Sequence, residues 1–214
     1  MASITALLRG RLAQERGTTT KDWGGKISVA LIYPNHYQVA MSNLGFQAVY
    51  GILNDNPGIV SERAFLPEED ERALYRRADQ ALLSLESQRP LRAFDLLAFS
   101  VSFENDYPHI LTILELAKIP LMSRDRGEDT PLVLAGGVAT FMNPEPLAKF
   151  IDCFLLGEGE AIVNRFIKVY RDLDLSTMTR HEALAILAEK VEGGAVYSLH
   201  LFRQDPQGLV PCHG

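Results

Sequence analysis

Apolar positions along this chain fall into five short runs separated by stretches of helical spacing. The first run, KISVALIY (Lys26–Tyr33), stops at Pro34. A helix is expected from about Ser42, with Leu44, Phe46, Ala48, Val49 and Leu53 on its apolar face. The second run, GIVSERAF, is more polar, which suits an edge strand, and the charged stretch Glu68–Gln80 after it reads as helical. The third, DLLAFSVSF (Asp95–Phe103), leads into a helix near Asp106–Lys118 that keeps Ile110, Ile113, Leu114 and Ala117 on one side. PLVLAG is the fourth and FIDCFLLG (Phe150–Gly157) the fifth. Val163, Phe166, Ile167 and Tyr170 then mark an amphipathic helix.

Nearly continuous apolar strands alternating with helices imply an α/β fold whose sheet is covered on both faces. Right-handed crossovers make it a doubly wound, mostly parallel five-stranded sheet of the Rossmann-like or flavodoxin-like kind, with strand order 2-1-3-4-5. A further helix opens with a capping box from Thr179 to Glu182, buries Ala183, Leu184, Leu187, Ala188 and Val191, and is expected to stop at Gly193-Gly194. The tail AVYSLHLFRQDPQGLVPCHG reads as a short hairpin turning near Asp205–Gly208. The expected organisation is an N-terminal helical or flexible segment (1–24), the Rossmann-like domain (25–176), and a C-terminal helix and hairpin (177–214). A chain ending on Cys-His-Gly directly after a strand is expected to be a fragment of something longer.

Composition narrows the function classes. With 47% hydrophobic and 22% charged residues the chain is globular rather than disordered or fibrous. A net charge of −6 opposes direct nucleic-acid binding, which rests on clustered Lys and Arg. Cys153 and Cys212 lie far apart and form no C-x-x-C, so this chain's cysteines alone can assemble neither a zinc site nor an iron–sulfur site. The N-terminal apolar run is too short for a signal peptide, and no stretch approaches the ~20 apolar residues of a membrane span. A cytoplasmic location is expected.

In an open parallel sheet, ligands sit beyond the carboxyl ends of the strands. After the first strand, Ser42 and Asn43 suit the cap of the next helix, and Gly45 permits close approach in its first turn. His36 in the same loop reads as solvated or hydrogen-bonded rather than as a metal ligand. Ser100, Ser102 and Glu104 follow the third strand, with Asn105 or Asp106 as the alternative cap of the helix beyond. Gly136-Gly137 removes side chains where the fourth strand meets the crevice, either for a positive φ or for a flat ligand on the peptide planes. Asn143-Pro144-Glu145-Pro146 reads as the start of a helix. Gly157, Glu158, Gly159 and Glu160 open the last helix of the sheet. Those acids make a poor phosphate cradle, and hydroxyl, amide or ribose-like partners suit it better. No nucleophile–base arrangement stands out, so no catalytic residue and no metal site is assigned.

The ordered phrases YPNHYQVAMSNLGFQAVYGILN, FDLLAFSVSFENDY and LAGGVATFMNPEPLAKFIDCFLLGEGE, with SERAF, SLES and AVYSL, resemble the N-terminal region of a radical SAM family. Its members carry a cobalamin-binding-like domain ahead of the radical SAM barrel, and the likeness runs from Ile27 to Leu199. The resemblance implies a larger enzyme holding a [4Fe–4S] cluster and S-adenosylmethionine in a barrel outside this chain, with that barrel as its partner. It also implies cobalamin as a ligand, with Ser100, Ser102, Gly136 and Gly137 where related domains hold the nucleotide tail and the corrin edge. Two departures stand beside it. The cluster motif C-x-x-x-C-x-x-C is absent, and the cobalamin motif D-x-H-x-x-G is replaced by Pro34-Asn35-His36-Tyr37-Gln38-Val39.

Three functions stay open on the sequence: an accessory domain of a radical SAM enzyme, a stand-alone binder of a small molecule such as a flavin or nucleotide, and a non-catalytic interaction module. The last carries its own expectation, an apolar patch on the strand ends where a barrel would dock.

Overall fold

The computed structural model describes residues 3–191 and the backbone of three further strands, 195–197, 202–205 and 208–211. Helix α1 (Ile4–Leu12) comes first, capped by Ser3. Then follow β1 (Ile27–Tyr33), α2 (Tyr37–Met41), α3 (Leu44–Asp55), β2 (Ile59–Phe65) and α4 (Glu69–Arg77). The centre of the chain supplies β3 (Leu96–Ser100), α5 (Tyr107–Leu116), β4 (Leu132–Gly136), α6 (Val138–Met142), β5 (Cys153–Leu156) and α7 (Gly159–Arg171). It closes with α8 (Arg180–Lys190), β6 (Ala195–Tyr197) and the pair β7 (Phe202–Asp205) and β8 (Gly208–Pro211).

The sheet order is β2-β1-β3-β4-β5-β6. Strands β1 to β5 are parallel, in the expected order, and β6 adds antiparallel to β5. Part of the expected tail hairpin therefore belongs to the main sheet, while β7 and β8 pair separately as Asp205 opposite Gly208. The expected stop at Gly193-Gly194 lies outside the described residues.

Side chains alternate across a strand with period two, so each strand serves both layers. Ala30, Ile32, Leu97, Phe99, Val133, Ala135 and Phe154 pack with Ile110, Ile113 and Leu114 of α5 and with Ile4 and Tyr75. Val29, Leu31, Tyr33, Leu134, Cys153 and Leu155 pack the other way, against α3, α7 and α8. Each fully buried side chain such as Phe46 or Phe166 contributes about 1.5–3 kcal/mol. The α8 capping box forms as expected, with Glu182 and Thr179 bonded reciprocally.

Strand β2 is at the sheet edge, yet all seven of its residues are buried. The chain's own N-terminal segment and the 81–89 loop cover it. Leu85 N–H donates to Arg63 O at 2.7 Å, and Lys21 Nζ reaches the carbonyls of Asn54, Asn56 and Ile59. Its two charged residues are consequently paired inside the protein, while the Ser61 hydroxyl is buried without a partner. Glu62 accepts from Trp23 Nε1, Ser84 Oγ and Ser87 Oγ on one face. Arg63 bonds Glu86 and Glu15 on the other.

Two local expectations change. Leu44, expected on the apolar face of α3, is 85% exposed, whereas Phe46, Tyr50 and Leu53 are buried. It is the first residue of the helix and stands beyond the end of the sheet. Asn143 closes α6 rather than opening a helix, and Glu145–Leu147 is a single 3-10 turn. Among the described residues no helix is long and apolar enough to cross a membrane.

Candidate functional site

The loops after β1, β3, β4 and β5 form the crest of the sheet, and hydrogen bonds stitch three of them together. Asn43 caps α3 by accepting from Phe46 N–H at 2.9 Å. Its amide nitrogen donates to Ser102 Oγ at 3.1 Å, which ties the β1 loop to the β3 loop. Ser42 does not cap α3; its hydroxyl donates to Val39 O at 2.7 Å and closes α2, a short helix the apolar pattern did not announce. A Cβ on Gly45 would sit 3.3 Å from Asn43 Oδ1, so the glycine makes room for the cap.

Ser100 is the last residue of β3 and pairs with Gly136 in the ladder. One residue on, Val101 N–H donates to Gly136 O at 2.8 Å, and Ala139 N–H returns to Val101 O at 3.3 Å. Gly137 adopts φ +109°, and a Cβ there would lie 2.4 Å from Val101 O. The positive φ expected of the glycine pair is present, and the space beside Gly137 is filled by the chain's own backbone. Gly136 is also close-packed, with a Cβ position 3.2 Å from Leu155 O.

Glu104 opens a 3-10 turn, Glu104–Asp106, and points to solvent. Asp106 precedes α5 but makes no side-chain cap. Instead its Oδ1 accepts from Asn35 Nδ2 at 2.8 Å, with His109 Nδ1 at 3.5 Å, while Oδ2 is buried without a partner. This β1–β3 link went unread in the sequence, because an Asp before a helix looks like a cap and Asn35 is 71 residues away. Beyond β5, Gly157, Glu158 and Glu160 are exposed. Gly159 starts α7 with its Cβ position 3.5 Å from Val49, so this glycine serves the α3–α7 contact.

His36 is oriented through Nδ1, which leaves Nε2 as the ring nitrogen a metal would use. Its Nδ1 lies 3.2 Å from Leu66 O and 3.4 Å from Glu68. Two cavities lie away from the crest, one under α1 and one of about 160 Å³ at the amino ends of β3 and β4, lined by Asp95, Tyr170 and Arg180 among others.

Beside those acids the crest exposes apolar side chains. Val39, Leu44, Phe103, Val138, Phe141 and Met142 all project from the loops after β1, β3 and β4. None of those loops, nor the ones after β2 and β5, contains Lys or Arg: segments 66–71, 101–106, 137–147 and 157–161 contain acids, and 34–44 contains neither acid nor Lys or Arg.

A family profile described as radical SAM proteins, N-terminal, matches residues 45–197. The chain belongs to this family. It is also 25% identical over 150 residues to an uncharacterised protein of Methanocaldococcus jannaschii, covering 69% of this chain and 28% of that one. The chain thus spans little more than a quarter of that relative's length. No solved structure matches it.

A radical SAM protein needs an iron–sulfur cluster, and the described residues do not fit one. No group of three or more His, Cys, Asp or Glu side chains is placed to hold a metal among them. Cys153 is wholly buried, and burial, with Asp152 nearby, pushes its thiol up, away from the thiolate that a cluster requires.

Proposed function

We propose that this chain is the N-terminal accessory domain of a radical SAM enzyme and leaves the chemistry to the rest of the polypeptide. The observation that carries this reading is the closed crest. Asn43 bridges to Ser102 and Val101 fills the space at Gly137, where a doubly wound sheet would otherwise open onto a ligand. The domain in this reading supports or covers a catalytic barrel.

The test compares this chain with the longer polypeptide that contains it. After anaerobic reconstitution with iron and sulfide, the longer form should carry cluster absorbance and cleave S-adenosylmethionine reductively, and this chain alone should do neither. A downstream sequence without three cysteines at cluster spacing would remove the reading.

Cobalamin is a second reading, favoured by the convergence of Ser100, Ser102, Gly136 and Gly137 on the usual ligand side of the sheet. The side chains present do not fit it well. The β4 exit is occupied by Val101, and the residues around His36 lack the Asp and Gly of D-x-H-x-x-G. Titration with hydroxocobalamin decides: a shifted corrin spectrum that survives gel filtration would establish a corrin site here. A flavin or nucleotide retained through purification would favour the stand-alone binder instead.

A further inference from the structure

We propose that the crest is a docking surface for the radical SAM catalytic domain of the same polypeptide, which meets it through an apolar face bordered by Lys and Arg. The proposal rests on the accessory-domain reading above and names the contact through which that role is exercised.

Connectivity brings five of the exposed apolar residues, all but Val39, to one surface. The Asn43–Ser102 bond sets Leu44 beside the loop carrying Phe103. The Ala139–Val101 bond sets Val138 and the rest of α6 beside the same loop. Met142 is 73% exposed, Phe141 62% and Val138 60%, on a helix of five residues that buries Ala139 and Thr140 instead. Isolated exposed apolar residues are ordinary, but a contiguous group at one end of a sheet marks an interaction site.

Charge selects the occupant. Glu104, Glu145, Glu158 and Glu160 are exposed on the crest loops, which contain no Lys or Arg, while the whole chain holds 21 Lys and Arg. Acids are favoured at helix N-termini, and this explains why they stand there singly. It does not explain the missing cations or the apolar side chains among the acids. A second copy would bring two acidic borders together across a two-fold contact, and a nucleic acid would meet the same repulsion. The family and the much longer relative both point to further chain belonging with this domain.

Hydroxyl-radical footprinting of the full polypeptide, read by mass spectrometry, tests the contact without separating the domains. Met142 and Phe103 should be protected, while Leu175, exposed at the opposite end of the sheet, should label freely. Phe103→Ser combined with Phe141→Ser should raise Met142 labelling by about tenfold, the scale of losing a buried anchor. Glu104→Lys with Glu158→Lys should raise it as well, and both pairs change exposed residues that the fold does not need. Met142 labelling that, corrected for the intrinsic reactivity of each side chain, is as fast as that of Leu175 in a preparation that still cleaves S-adenosylmethionine overturns the docking and leaves the accessory role intact. A preparation with neither cluster nor cleavage removes the accessory role, and the docking with it. A concentration-dependent dimer abolished by Phe103→Ser would assign the surface to a second copy and overturn the proposal.

Discussion

Arg63 Nε donates to Glu86 Oε1 at 2.7 Å, and both side chains are only 2% exposed. The same guanidinium reaches Glu15 at 2.6 Å and lies over the Tyr50 ring. One arginine on an edge strand thus joins the N-terminal segment, the 81–89 loop and α3. Removing one partner of such a pair strands a charge in the interior. Glu86→Ala should therefore cost about 3–5 kcal/mol, read from the urea midpoint. The double change Arg63→Met with Glu86→Leu should cost less than either single change.

Glu15 supplies a pH dependence of known sign. Burial raises its pKa, but the hydrogen bonds from Arg63 and Tyr37 outweigh that, and the carboxyl titrates below its ordinary 4.5. A depressed folded value contributes stability that is present above the unfolded value and is lost as pH falls through the folded one. Wild type should thus exceed Glu15→Gln in stability at neutral pH, and the difference should shrink below about pH 4.5. Parallel unfolding curves at all pH values would contradict it.

Gly137→Ala places a Cβ 2.4 Å from Val101 O at a φ of +109°. The backbone strain alone is worth about 1–3 kcal/mol, and the clash must move β3 or β4 in addition. A large drop in melting temperature is expected. Gly45→Ala, which meets only Asn43 Oδ1 at 3.3 Å, should be far milder.

Cys153 should resist alkylation by iodoacetamide in the native protein and react once urea unfolds it, because complete burial raises its thiol pKa and excludes reagent. Peptide mapping separates this thiol from Cys212. Rapid native modification of Cys153 would mean that the sheet opens near β5.

Asp152 takes Arg126 at 2.9 Å and Arg180 at 2.6 Å, and Arg180 also bonds the carbonyls of Thr130 and Pro131. Asp152→Asn leaves two buried guanidiniums sharing a neutral amide. A loss of about 3–5 kcal/mol is expected, with early exposure of α8 to hydrogen exchange.

The apolar runs and their breaks were sufficient to place β1 to β5, their parallel order and the capped start of α8, because burial on two faces demands those patterns locally. The successive glycine, Asn-Pro-Glu-Pro and Gly-Glu-Gly-Glu phrases also pointed to the family that residues 45–197 match. What those residues do was decided only by residues distant in sequence. Gly137 is required by Val101, Asn43 is partnered by Ser102, and Asp106 is turned toward Asn35 rather than its own helix. Leu44 is expected on an apolar helix face and Phe103 closes an apolar run in the sequence, while Met142 carries no expectation. Packing leaves them outside, since each lies past the end of a strand where no helix among the described residues covers it. Periodicity reports which face of an element is apolar. Whether a neighbour arrives to bury that face is a property of the assembled sheet.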